Sequence, residues 1–304
     1  MNENTNSKTI LIAGGSGLIG AKLSEVLMAN GWQVSHLSRK ENKNSKYKTF
    51  IWSPEKNYID PNALVNVQAI VSLAGAGIAD KPWTSSYKKL IVDSRADSAL
   101  TLRNALLNNP NQVEKIICAS AVGIYGDRAE QVLSETDIKG EGFLAETTKI
   151  WEDAYLNFPI PVTTLRISNV LSTNGGALPK LAGPLKFGVA PILGSGKQYM
   201  SWIHIDDLCN LFAKAISDPS LIGTYNAASP NPINFKGFMG VLRSVVNRFS
   251  IEIPVPEFML KIILGEQHEI VLNSVRVSST KIEKAGFKFQ YEDLTKALSN
   301  LYGQ

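Results

Sequence analysis

Apolar residues along the chain recur with two spacings. Short apolar runs at Thr9–Ala13, Gln33–Leu37, Thr49–Trp52, Ala69–Leu73, Lys115–Ala119 and Val162–Ile167 have the length and composition of strands. Between them the spacing becomes helical. Ile19, Leu23, Val26 and Leu27 fall at i, i+4, i+7 and i+8, and long helices are expected near Tyr87–Leu107 and Leu144–Asn157. Strands alternating with helices imply a parallel sheet, and right-handed crossovers make it a doubly wound α/β sheet of Rossmann type. No internal repeat or low-complexity segment interrupts the pattern.

The first strand opens into Gly14-Gly15-Ser16-Gly17-Leu18-Ile19-Gly20. Two registers fit, Gly15-x-Gly17-x-x-Gly20 and Gly14-x-x-Gly17-x-x-Gly20. Either brings the backbone close to a pyrophosphate and points the first N–H groups of the next helix at it. That helix is expected to stop at Asn30-Gly31. The residues after the second strand select the cofactor, because an acidic side chain there accepts from a ribose 2′-OH and a cation accommodates a 2′-phosphate. Ser38-Arg39-Lys40 precede any Asp or Glu, so NADP(H) is expected over NAD(H). A competing reading makes Arg39 and Lys40 the start of a solvated basic loop that continues through Lys43, Lys46 and Lys48. Leu73-Ala74-Gly75-Ala76-Gly77, at the end of another strand, are small enough to lie against the nucleotide.

Past Ile167 the composition shifts, with glycines and prolines crowding Ser172 to Lys197. A dinucleotide-binding domain is therefore expected over residues 1–171, and a smaller substrate lobe over 172–205 and 218–304. A helix near 206–217, N-capped by Asp206, is expected to return to the nucleotide domain. The last third carries a helix near Phe235–Val246, a proline-marked link at Pro254 and Pro256, and a closing helix near Leu294–Leu301. No catalytic constellation is evident in it.

Hydrophobic content of 44%, charged content of 19% and a net charge of +4 describe an ordinary globular chain and make no case for nucleic acid. Cys118 and Cys209 stand outside any metal or disulfide spacing, so no metal is expected and both read as small buried hydrophobes. The polar start through Ser7 lacks an apolar core, and no stretch approaches a membrane span. A cytoplasmic protein with its first eight residues frayed is expected.

The chain resembles the extended short-chain dehydrogenase/reductases, and within them the atypical epimerase family proteins that carry a small C-terminal domain of unknown function. The resemblance covers nearly the whole chain from Lys8. It rests on Gly14–Gly20, Leu73–Ile78 with Trp83, Ser94-Arg95, Ser120–Gly126, Gly142–Ala145 with Trp151-Glu152, and Leu165–Ile167. Further matches are Gly194–Gln198, Trp202–Asp207, Tyr225–Pro230 and the stretch from Leu264-Gly265-Glu266 to Ala285-Gly286-Phe287. It implies a nucleotide site that includes Arg95. It also implies hydride transfer in which a Tyr is the general acid/base, a Lys four residues later lowers its pKa, and a Ser or Thr orients the substrate oxygen.

The sequence departs from that pattern where Phe143-Leu144-Ala145-Glu146-Thr147-Thr148-Lys149 replaces Tyr-x-x-x-Lys. Ser120 is the hydroxyl nearest the expected Ser/Thr slot, with capping of the strand-end loop as the alternative. Tyr125 and Glu146 are the nearby substitutes for the missing acid, Tyr125 against a packing role and Glu146 if desolvated. Trp83 and Trp202 are candidate apolar walls of a substrate pocket, and His204 reads as a residue that fixes a helix entry. Two functions follow. One is an NADP(H)-dependent oxidoreductase or epimerase acting on a small polar or sugar-like molecule; the other is a catalytically silent NADP(H)-binding sensor or scaffold.

Overall fold

Ile10, Leu11 and Ile12 cannot leave either face of a strand in water, so β1 (Thr9–Ala13) lies at the middle of the sheet with all three side chains fully buried. The structure is a computed structural model describing residues 9–41 and 44–303. The expected fraying of residues 1–8, and Lys43 of the basic loop, lie outside the described residues. The glycine turn leads from β1 into α1 (Leu18–Ala29), which stops at Asn30 with Gly31 at φ +82°. There follow β2 (Gln33–Ser38), β3 (Lys48–Ser53), β4 (Tyr58–Ile59) and β5 (Val67–Ser72). After α2 (Ser85–Asn108) come β6 (Lys115–Ala121), the short β7 (Val132–Leu133), α3 (Phe143–Asp153) and β8 (Val162–Ile167). The expected helix to Asn157 ends at Asp153, and beyond it Tyr155 turns inward to donate its hydroxyl to Ser72 Oγ at 2.8 Å.

The second half begins with β9 (Asn169–Leu171), α4 (Leu178–Leu185), β10 (Val189–Leu193), β11 (Tyr199–Met200) and β12 (Trp202–His204). Helix α5 (Ile205–Ser217) and β13 (Gly223–Ala227), an edge strand of the main sheet, follow. Beyond them lie β14 (Ile233–Asn234), α6 (Phe235–Val246), β15 (Ile251–Val255), α7 (Glu257–Leu264) and α8 (Glu269–Leu272). The described chain closes through β16 (Arg276–Val277), α9 (Thr280–Lys284) and α10 (Leu294–Tyr302).

Eight strands form the main sheet in the order β13-β8-β6-β5-β1-β2-β3-β4. Every neighbouring pair is parallel except β3 with β4. From β1 the chain first moves outward through β2 and β3, then returns to β5 on the other side. The strand order therefore reverses between β1 and β5, which opens a crevice at their carboxyl ends.

The two-residue period of a strand sends alternate side chains to opposite layers. Ile10 and Ile12 join α1, α5 and, from the far end of the chain, Ile282, Phe287 and Phe289. Leu11 and Ala13 join α2 together with Trp151 and Tyr155. Helix α5 packs in one core with α1 and β1, and His204, not the expected Asp206, is its N-cap. His204 Nδ1 accepts the Asp206 N–H at 3.1 Å, and the Asp206 carboxylate instead pairs with Lys22 of α1 at 2.9 Å. A third core holds the lobe together around α4, α6 and α10. No helix among the described residues is long and apolar enough to cross a membrane.

Candidate functional site

The glycine turn has the shape its sequence requires. Gly14 sits at φ +88°, and a Cβ there would come within 2.9 Å of the Leu73 carbonyl carbon, so β1 and β5 approach closely only because it has none. A Cβ on Gly20 would lie 2.3 Å from the Gly14 oxygen, which fixes how tightly α1 packs on the turn. Gly17 caps α1 without a side-chain bond. With no acidic residue in the first turn, the orphan N–H groups and the helix dipole at that end favour an anion. The residues present thus fit the pyrophosphate of a dinucleotide.

Beside this turn, a cavity of about 250 Å³ is lined by Ser16, His36, Ser38, Ser45, Lys46 and Tyr47, with Glu25 also reaching it. Arg39 and Lys40 do not line it; both are exposed, and Ser38 Oγ donates to the Lys40 carbonyl at 2.7 Å. Among the described residues the cation lining the cavity is Lys46, which the sequence offered only as part of a solvated loop. Its signal was weak because it precedes β3 rather than following β2. His36 lies behind the turn, its Nε2 2.8 Å from Ser24 Oγ, and burial lowers its pKa.

Across the crevice, the loop after β5 is shaped by α2. Ser94 Oγ accepts the Ala76 N–H at 3.0 Å, and Arg95 Nη1 donates to the carbonyls of Ala76 at 3.0 Å and Ile91 at 2.8 Å. The Arg95 guanidinium lies 4.9 Å from the Trp151 ring centre, and burial pulls its pKa down to about 10. Arg95 therefore braces Leu73–Gly77 from behind. Trp83 donates its indole N–H to the Ile78 carbonyl at 2.8 Å and meets Phe143 edge-on at 4.7 Å. With Tyr87, Leu144 and Ile270 it forms an apolar wall at the start of α3. Trp202 belongs to a different place. It is fully buried in the lobe core, with its N–H bonded to the Asn231 carbonyl at 3.0 Å, because β12 pairs with β9 and turns the indole away from the crevice.

The proposed acid/base residues separate. Ser120 Oγ donates to Glu152 Oε1 at 2.5 Å, and Arg166 clamps both oxygens of Glu152 at 2.8 Å. Arg166 Nη1 also donates to the Tyr125 hydroxyl at 2.9 Å, and that hydroxyl donates to Asn226 Oδ1 at 2.8 Å. Burial disfavours the Arg166 charge, yet its bonds to Glu152 hold the pKa above the ordinary value. Tyr125 is fully buried, and desolvation raises its pKa despite Arg166. The geometry makes Tyr125 an anchor between β6, β8 and β13, with both faces of its hydroxyl already engaged. Glu146 is not desolvated: it pairs with Lys139 on the surface of α3. Lys149 pairs with Asp153 at 2.5 Å, and both are exposed on α3. Ser120 remains at the carboxyl end of β6 with its proton directed at Glu152.

Four further ionisable residues have structural parts. His204 is buried and stacks on Tyr291 with ring centres 3.9 Å apart, and burial lowers its pKa. Asp207 accepts the N–H groups of Gln290 and Tyr291 at 2.8 and 3.0 Å. Cys118 and Cys209 are buried, and desolvation pushes both thiols up to about 12.

A glycine turn at the switch point of a parallel sheet, covered by helices on both faces, defines a doubly wound dinucleotide-binding protein. The chain belongs to the NAD dependent epimerase/dehydratase family, whose model matches residues 10–228; residues 255–301 match the domain of unknown function DUF1731. An epimerase family protein of Mycobacterium bovis is 34% identical over 293 residues, covering 95% of this chain and 96% of that protein. Epimerase family protein YfhF of Bacillus subtilis is 31% identical, covering 96% and 97% respectively. The human epimerase family protein SDR39U1, crystallised with NADPH, superposes with a TM-score of 0.89 at 24% identity, covering 97% of this chain and 99% of that one.

Proposed function

We propose that the protein is an NADP(H)-dependent oxidoreductase or epimerase. Its substrate is a small polar or sugar-like molecule held between the crevice and the C-terminal lobe. The observation that carries the cofactor reading is the cavity beside the glycine turn, lined by Lys46 and by Ser16, Ser38 and Ser45. An ammonium among hydroxyl donors suits a 2′-phosphate better than a 2′-OH. The NADPH bound by human SDR39U1 supports the same choice. When bound, the nicotinamide supplies or accepts the hydride. This chain's part is to hold the pyrophosphate at α1, shape Leu73–Gly77 through Arg95, and wall the reacting end with Trp83 and Phe143.

The test is a fluorescence titration of the protein with NADPH and NADH, followed by absorbance assays on a panel of carbonyl compounds and nucleotide sugars. Tighter NADPH binding and turnover of a panel member are expected. Binding of neither cofactor overturns the reading. A second reading, a silent NADP(H) sensor, draws on the engagement of Tyr125 in a structural network and on the absence of tyrosine from α3. It predicts tight binding with no turnover across the panel.

A further inference from the structure

Gly142 precedes α3 at φ +98°, and a Cβ there would lie 2.9 Å from Oε2 of Glu269 and 3.1 Å from Oε1. A carboxylate from the C-terminal segment thus rests on bare backbone at the start of α3, 127 positions along the chain from its neighbour. Oε2 is buried and has no hydrogen-bond partner among the described residues. Buried carboxylate oxygens are normally paired, and one left open in a native fold calls for a functional explanation.

The segment that carries Glu269 is pinned in place. Lys88 of α2 pairs with Glu266 at 2.6 Å, and Gln267 Nε2 donates to the Lys81 carbonyl at 2.8 Å and the Ile78 carbonyl at 3.3 Å. Ile270 packs into the cluster of Trp83, Phe143 and Leu144. The carboxylate is therefore delivered to one place, where the loops that follow β5 and β6 meet α3; a Cβ on Gly123 would lie 3.4 Å from Leu144 Cβ. Phe143 and Leu144 occupy the stretch in which the resemblance places the acid/base tyrosine, and neither can exchange a proton.

We infer that Glu269 is the catalytic residue that exchanges a proton with the substrate oxygen, taking over at the start of α3 the task of the absent tyrosine. The inference rests on the NADP(H)-dependent reading above. In the oxidising direction a secondary alcohol loses its O–H proton to the Glu269 carboxylate. The electron pair of its C–H bond leaves as hydride to the oxidised nicotinamide, and a C=O bond forms. In the reducing direction the same carboxyl returns the proton as the reduced nicotinamide gives up its hydride. Phe143 and Trp83 keep water from the exchange. DUF1731 is thereby part of the active site rather than an appendage to it.

The full-length protein is treated with a water-soluble carbodiimide and an amine, alone, with NADPH, and with 2′,5′-ADP, and the labelled carboxyls are mapped by mass spectrometry. Glu269 is expected to label in the free protein, to be protected at least fivefold by NADPH, and to stay open with 2′,5′-ADP, which lacks the nicotinamide. The exposed Glu146 serves as the unprotected control. No labelling of Glu269 in the free protein, equal labelling with NADPH bound, or equal protection by 2′,5′-ADP overturns the inference. If fluorescence shows no NADPH binding, the cofactor reading itself falls; binding without protection sinks the Glu269 role alone. Glu269→Gln is expected to keep Tm and to hold the Kd for NADPH within twofold, while lowering kcat in any NADPH-linked turnover by about 100-fold or more. Retained kcat overturns the role.

Discussion

Replacing Tyr125 with Phe separates an anchor from an acid. The hydroxyl donates to Asn226 Oδ1 at 2.8 Å and accepts from Arg166 Nη1 at 2.9 Å, with the ring fully buried. Without it Arg166 keeps both bonds to Glu152 and a 3.3 Å bond to the Glu135 carbonyl, so the guanidinium is not stranded. Asn226 Nδ2 likewise keeps the Ser278 carbonyl at 3.1 Å. The net loss is one buried acceptor without its donor, about 1–2 kcal/mol. For a chain of this length that lowers Tm by roughly 1.5–3 °C. Burial raises the Tyr125 pKa above its ordinary value near 10, so both protein forms keep the phenol neutral below that point. The difference in Tm between wild type and Tyr125→Phe is therefore expected to stay level from pH 6 to 9 in calorimetry. NADPH affinity and any turnover are expected to persist. An unchanged Tm combined with lost turnover would refute the anchoring argument and return Tyr125 to the chemistry.

Lys46→Ala is expected to weaken NADPH binding by roughly 10- to 150-fold, the loss of one charge-assisted bond, and to leave NADH nearly unaffected in the same titration. Arg39→Ala tests the position after β2, and equal losses for both cofactors would show that Arg39 touches no 2′-phosphate. Gly20→Ala forces a Cβ to within 2.3 Å of the Gly14 oxygen, a backbone atom that cannot swing aside; NADPH binding should be lost and Tm lowered, and a variant that binds normally would show that the turn yields. Burial lowers the pKa values of His36 and His204 in the fold. Their contribution to stability is present above the unfolded value near 6.5 and is lost as pH falls through the lower folded values. Tm should drop between pH 6.5 and 5, with a shallower drop in His36→Gln; a flat profile would contradict the assigned burial effect.

The nucleotide half is legible because each of its signals is local. Ile10 and Ile12 face one layer and Leu11 and Ala13 the other whatever their neighbours, and Gly17 and Gly20 answer to backbone within the turn itself, although Gly14 also answers to Leu73. Elsewhere local pattern and tertiary choice part company. Asp is a commoner N-cap than His, but the helix starts at Ile205, which puts Asp206 inside its first turn, where its carboxylate pairs with Lys22. Trp202-Ile203 reads as apolar wall or apolar core alike, and only the pairing of β12 with β9 decides between them. Lys46 looks like any surface lysine until the approach to β3 brings it beside Ser16. Glu269 carries no motif at all; its neighbour is Gly142, and nothing in either stretch announces the other.

Ile282, Phe287 and Phe289 fill the same core as Ile10 and Ile12, so the central layer joins side chains 270 or more positions apart in the chain. During synthesis α1 and then α5 cover much of that layer, and its last part closes only when the stretch around Phe287 emerges. Until then the growing chain must shield that remaining apolar surface of its nucleotide half. Dependence on a holding chaperone, or on early cofactor capture, would be a property of its biogenesis, written into the fold by three residues.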